Sequence, residues 1–281
     1  ARDADRADRT RLPLAGDRLM ATDYIIADQA TIADASRHAY SERVVHLPEC
    51  FQPSDTRRAM PASDPPRAAF GLPESGFVFC CFNNTYKINP EIFASWMRIL
   101  SAVEGSCLWL LADSEQVTRH LRGAAAQAGV SADRLVFGGR LPAQEYLGRY
   151  RRADLFLDTV PFNAGTTAND ALFTGLPVLT CPGGSFAARM ASSLLRTLDL
   201  PELIVPTSED YESTAIALAR HPGELARIKA KLIRNRDAGP LFDMPRYSRH
   251  LEAAYREMHA RWRNGLGPDH IRVPCAPASR A

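Results

Sequence analysis

No stretch of the 281 residues approaches the roughly 20 consecutive apolar side chains that a membrane-spanning helix needs. The first eleven residues are charged at every second or third position and hold no apolar core, so they do not form a secretory signal. Cysteines at 50, 80, 81, 107, 181 and 275 form no C-x-x-C pair, and no two histidines are spaced i, i+4. A structural zinc is therefore not expected, nor any other bound metal. Cys80, Cys81, Cys107 and Cys181 lie inside apolar runs, where cysteine acts as a small hydrophobe, and a reduced, cytoplasmic setting is expected. A formal net charge of +2 leaves no basic face or stripe to argue for nucleic acid. Lysine is scarce, with only Lys87, Lys229 and Lys231 among 34 basic residues. With abundant alanine, that bias is expected of a GC-rich bacterial genome rather than of arginine-specific recognition. Also missing are G-x-G-x-x-G and G-x-x-x-x-G-K-[ST], which disfavours a dinucleotide oxidoreductase and a P-loop NTPase. There is no G-x-S-x-G elbow, and the sole D-x-D, Asp3 to Asp5, lies in the charged leader.

What is present is an ordinary globular composition, 46% hydrophobic and 23% charged. Residues 1–19 read as a disordered leader. A short strand-like run, Asp23 to Asp28, is followed by a polar stretch to His46. Pro, Ser, Asp and Arg crowd residues 49–75, the composition of a linker. From Gly76 the pattern changes to short apolar runs, at 77–82, 107–112, 134–138, 155–160, 177–181 and 202–205, separated by helical-length amphipathic segments. That alternation predicts βαβ units and a doubly wound, Rossmann-like α/β fold with a parallel sheet over 76–267. Helices are expected at 208–220, 222–235 and 245–263, then a loose tail over 268–281. Tyr86, Phe93, Trp96 and Trp109 fall at apolar positions and read as core.

In open parallel sheets ligands bind beyond the carboxyl ends of the strands. After the first run, Asn83, Asn84, Thr85 and Lys87 precede a helix that Asn89 can cap with Pro90 at its first position. Lys87 is placed to meet a phosphate as a flexible point charge; ordinary turn chemistry explains the same residues. After the fourth run, Gly165, Thr166 and Thr167 open a helix whose first N–H groups suit an anion. Asp170, one turn on, is placed to accept hydrogen bonds from a ribose diol. The competing account is that Thr166 caps the helix and Asp170 complements its dipole. The glycine turn at Gly183 and Gly184 is a weaker signal. Tyr146 lies close to the loop after the third run.

Several blocks in order exceed generic Rossmann logic: Phe79 to Pro90, Trp96, Cys107 to Leu111, Leu157 to Thr159, Asn163 to Asp170, Gly175 to Thr180, Ser185 to Arg189, Ser193 to Leu195 and Pro240 to Phe242. Together they resemble the C-terminal catalytic lobe of O-GlcNAc transferases over about residues 16–270, with 20–48 similar to the end of the family's N-terminal lobe. The resemblance implies a GT-B fold and inverting, metal-independent transfer of a sugar, most readily GlcNAc from a UDP-sugar, to protein Ser/Thr. It implies no cofactor; the partners are the nucleotide sugar and the protein acceptor. Residue by residue, it implies that Lys87 contacts the donor diphosphate and serves catalysis, with Asn84 beside it. Leu141 would read the uracil edge through its backbone, Tyr146 stack on the base, and Arg149 stand near the donor. Thr166 and Thr167 would face the phosphates and Asp170 bind the ribose. Gly165 replaces the family's usual His, and Ala143 its lysine. The family's Asp-Phe-x-x-His-Pro block and the preceding TPR repeats are not in this sequence, so a fragment or truncated relative is expected. A fucosyl- or glucosyl-transferring relative and a non-catalytic nucleotide-binding module stay open as alternatives.

Overall fold

Strands that are apolar on both faces gain by covering both, and the central runs rich in valine, phenylalanine, leucine and cysteine lie fully inside. In the computed structural model, which describes residues 22–60, 65–112 and 114–275, the chain opens with β1 (Tyr24–Asp28) and β2 (Arg43–Leu47). Then come β3 (Val78–Cys81), α1 (Pro90–Ala102), β4 (Cys107–Leu111), α2 (Glu115–Gln127), β5 (Leu135–Gly138), α3 (Ala143–Arg149) and β6 (Leu155–Leu157). The chain continues through α4 (Thr166–Phe173), β7 (Val178–Leu179), α5 (Met190–Thr197), α6 (Ser208–Arg220), α7 (Pro222–Ala238), α8 (Met244–Arg263) and β8 (Ile271–Arg272). The main sheet is parallel, in the order β5-β4-β3-β6-β7. Every residue of β3, β4 and β6 is buried, as a sheet covered on both faces requires. Trp96 and Trp109 are fully buried among them.

The strand order matters for function. The chain starts in the middle at β3, winds outward through β4 to β5, then returns to β6 on the other side. The loops after β3 and β6 therefore leave the sheet in opposite directions from neighbouring strands. They open a crevice at this reversal, where doubly wound folds bind ligands.

A second parallel sheet, β1-β2-β8, joins the two ends of the described chain. Val45, Leu47, Ile271 and Val273 pack with Ala254, Tyr247 and Met258 of α8. Three expectations change here. The polar stretch before His46 contains β2, because Val44, Val45 and Leu47 are apolar enough to be buried between two strands. The tail is not loose at Ile271–Arg272, which pairs with Val45 and His46. The run at 202–205 is not a strand: Pro201 opens a short helical turn, Pro201–Leu203, and only Ile204 bridges Thr180, since proline fixes φ and has no N–H to extend a ladder. The expected leader and the Asp3 to Asp5 motif lie outside the described residues. Among those described, no helix is long and apolar enough to cross a membrane.

Candidate functional site

The crevice is built from the ends of β3 and β6. Asn83, buried directly after β3, donates from Nδ2 to Thr159 Oγ1 at 2.8 Å. Its Oδ1 accepts from the Thr167 hydroxyl. One amide thus ties both loops to the start of α4. Asp158, at the end of β6, is fully buried. It accepts from the N–H groups of Thr159 (2.8 Å) and Ala164 (2.7 Å) and from Thr180 Oγ1 (2.7 Å). Burial pushes its carboxyl up to about 7; the hydrogen bonds from Thr180, Ala164 and Thr159 and the charge of Lys87 pull against that. Sequence reasoning places Asn83 in the loop after the first run but gives it no such bridging part, and it gives Asp158 no part of its own. The available signal was a polar residue ending an otherwise apolar strand.

Lys87 leaves a short helical turn, Thr85–Lys87, and lies back over the β6–α4 loop. Its Nζ donates to the Asn163 carbonyl at 2.9 Å and stands 3.7 Å from the centre of the Phe162 ring. Burial lowers its pKa, while Asp158 favours the charged form. Asn84, before the turn, is exposed. Tyr86 is not core: the turn swings it outward to 70% exposure, since a three-residue turn does not continue the strand's alternation. Asn89 does cap α1, accepting from Ile92 N–H at 2.8 Å, with Pro90 at the first helical position.

At α4 the capping position belongs to Gly165, and no side chain caps the first turn. The account in which Thr166 caps this helix is therefore ruled out; Thr166 is exposed and Thr167 half-buried. The helix start keeps unpaired N–H groups and its partial positive charge at the crevice. A Cβ on Gly165 would lie 2.3 Å from Met190 Cε, so the methionine of α5 fills the space a side chain there would take.

The opposite wall is α3. Leu141, half-buried, precedes it. Arg149 is fully buried, with its guanidinium 3.8 Å from the Phe82 ring centre and 4.3 Å from that of Tyr146. Nη1 donates to the Gly139 carbonyl at 3.2 Å, while Nε and Nη2 find no acceptor. Burial lowers its pKa. The Tyr146 hydroxyl shares a hydrogen bond with Tyr150 at 2.6 Å, and one face of its ring is taken by Arg149.

Asp170 is buried and ion-paired with Arg58. Arg58 comes from the segment that composition marks as linker, and that segment is not a free linker. Phe51 N–H donates to Asp28 Oδ2 at 2.9 Å, and Ser54 accepts from Asn169 Nδ2 at 2.6 Å. Contacts thus link Lys87, Tyr146, Arg149, Gly165, Thr167 and Asp170 around the crevice, with Thr166 exposed beside them, while Asn84 and Leu141 are placed only by the loops that carry them.

A five-stranded parallel lobe whose crevice combines an uncapped helix start with lysine and arginine defines the chain as a Rossmann-like lobe with an anion-accepting crevice. Its sequence matches glycosyl transferase family 41 over residues 63–251. The chain belongs to that family. It is 36% identical over 257 residues to the probable UDP-N-acetylglucosamine–peptide N-acetylglucosaminyltransferase SEC of Arabidopsis thaliana, a match covering 89% of this chain and 26% of the plant protein. It is 38% identical over 205 residues to the UDP-N-acetylglucosamine–peptide N-acetylglucosaminyltransferase of Caenorhabditis elegans, covering 73% and 18%. A solved mutant O-GlcNAc transferase from Thermobaculum terrenum superposes with a TM-score of 0.75 at 33% identity, over 86% of this chain and 45% of that one. WaaG, a glycosyltransferase of lipopolysaccharide biosynthesis, shares the fold at a TM-score of 0.58 and 14% identity, over 79% of this chain and 60% of that one. The chain thus spans about a quarter of the length of the plant relative.

Proposed function

We propose that this chain is the donor-binding lobe of a protein O-glycosyltransferase that moves GlcNAc from UDP-GlcNAc to Ser or Thr. The observation that carries the reading is the uncapped start of α4 facing Lys87 across the β3/β6 reversal. The two relatives named for UDP-N-acetylglucosamine–peptide transfer support the choice of sugar and acceptor. In this reading the acceptor hydroxyl oxygen attacks the anomeric carbon in line. The bond to the β-phosphate oxygen breaks, and UDP leaves with the electron pair. Lys87 and the N–H groups of Gly165 to Thr167 neutralise the leaving diphosphate, the electrostatic contribution that usually dominates such catalysis. Tyr146, Leu141 and Arg149 form the nucleoside side, and Asp170 accepts from the ribose. The proton of the acceptor passes to a base outside this site, in the part of the enzyme that the relatives have and this chain does not span. Placement in the bacterial cytoplasm is part of the proposal, supported by free thiols at all six cysteines.

The test has two arms. UDP should stabilise the chain against heat and NAD should not; a ligand specific for the folded state adds roughly 2.7 kcal/mol at 100 times its dissociation constant. Equal shifts with both, or none with UDP, would sink the reading. With radiolabelled UDP-GlcNAc and a protein acceptor, the chain alone should transfer little, because near-attack positioning is worth roughly 7–11 kcal/mol. Adding the family's other lobe should restore transfer. Robust transfer by this chain alone would place the whole active site within these residues.

A further inference from the structure

Residues 50–60 form a strap that crosses the start of α4 and supplies the site with side chains of its own. Gln52 Oε1 lies 3.4 Å from where a Cβ on Gly165 would sit. Ser54 Oγ holds Asn169. Arg58 reaches furthest. Its Nε donates to the Asp55 carbonyl at 2.9 Å, its guanidinium lies 4.8 Å from the Phe173 ring centre, and Nη1 meets Asp170 Oδ1. The strap is itself anchored away from the site, through Phe51 N–H to Asp28 and through Cys50 in the core. A three-point hold of this kind fixes a planar guanidinium in one place. A carboxylate offers about four lone-pair sites, so Arg58 occupies one and leaves others free.

We propose that Arg58 is a positioning residue of the donor site, fixing Asp170 as the charged hydrogen-bond acceptor for a nucleotide's ribose diol. The proposal rests on the reading of Asp170 given above. Asp170 is almost wholly buried, and burial alone drives a carboxyl toward its neutral form. The groups that face it are Arg58 from the strap and Tyr146, Arg149 and Tyr150 from the α3 side. Burial raises its pKa; Arg58 opposes this most, through hydrogen bond and charge, then Tyr146 and Arg149. Arg149 lies between two rings, so Arg58 is the cation in direct contact with Asp170. A neutral Asp170 would present an O–H and one fewer acceptor to a diol that has protons to donate.

The experiment titrates the Asp170 carboxyl by NMR without nucleotide, assigned with Asp170→Asn, in the wild type, Arg58→Met and Arg58→Lys. UDP affinity is measured by calorimetry in parallel from about pH 8 down to about pH 5. Arg58→Met should raise the titration of Asp170. It should also weaken UDP about tenfold, with the loss growing as pH falls, while Arg58→Lys restores most of both. An unmoved Asp170 titration overturns the proposal. So does a loss of affinity that is flat with pH, which marks a structural role, and so does tighter UDP binding, which marks Arg58 as a competitor of the ribose. Should Arg58→Met fail to fold, Phe173→Leu removes the ring beneath the guanidinium and should shift both readouts the same way, less far; no shift overturns the proposal equally. A wild type that binds no UDP but whose Asp170 titrates higher in Arg58→Met overturns the reading of the site and the ligand assigned to it, while the electrostatic role of Arg58 stands.

Discussion

The two walls of the crevice are held by different chemistry. On the β3/β6 wall every buried polar group named above except Asn163 Oδ1 is satisfied within the protein: Asn83 bridges both loops, and Asp158 gathers two N–H groups and a hydroxyl. On the α3 wall Arg149 lies between aromatic rings with two nitrogens unbonded. A buried polar group without a partner costs about 1–3 kcal/mol, more if charged. The side chains of the first wall are therefore nearly all satisfied, so that what it offers a ligand is Lys87 and the backbone N–H groups that open α4, whereas the second keeps side-chain bonding capacity that a ligand can use. A site divided in this way has a rigid half that sets the position of α4 and a half whose full stability depends on what it binds.

The largest effect that sharpens this contrast is expected at Asp158. Its folded-state pKa of about 7 lies above the ordinary value near 4. Its contribution to stability is therefore fully present below about pH 4 and is lost as pH rises through about 7. Asp158→Asn keeps a carbonyl for the loop N–H groups and removes the titration. Chemical denaturation across that window should show the wild-type curve falling by on the order of a few kcal/mol relative to the variant. Parallel curves would show that this wall does not carry a buried, titrating carboxyl.

Next in size is Lys87→Ala. It removes a partner of the phosphates and should weaken UDP by roughly 1.5–3 kcal/mol, about ten- to a hundredfold, while leaving uridine nearly unaffected. Equal losses for both ligands in calorimetry would move Lys87 from the phosphate half to the nucleoside half. The smallest and most diagnostic change is Arg149→Met. A methionine fills the slot between Phe82 and Tyr146 without a charge to desolvate, and replacing a buried charge by an apolar group is often neutral or stabilising. Without ligand the variant should melt no lower than the wild type, and it should lose about tenfold in affinity for uridine and UDP alike. A variant that melts lower would mean that the α3 wall is as complete as its opposite.

Much of this arrangement was legible in the sequence because it depends on local pattern. The apolar runs gave β3, β4, β5 and β7 to within a residue or two and overran the end of β6 by three, and Asn89 before Pro90 gave the start of α1. The α8 face is a divided case: Tyr247 and Met258 pack against the small sheet, while Tyr255 and Trp262, at 53% and 74%, stay exposed. Helical spacing gives the face but not how much of it finds a partner.

The sequence by itself determined the parallel α/β class, the strand-end loops that carry Lys87, Thr166 and Thr167, and Gly165 as the residue that opens α4. Strand and helix periods, glycine and proline are written along the chain, and strand ends in such folds are where ligands bind. Only the tertiary structure decided that Arg58, 112 residues before Asp170, meets its carboxylate, that Asn83 joins two loops, and that Ile271 closes a sheet begun at Tyr24. Those contacts depend on which surfaces the folded core brings together. A polar residue in a Pro- and Ser-rich stretch carries no local mark of the buried carboxylate that awaits it.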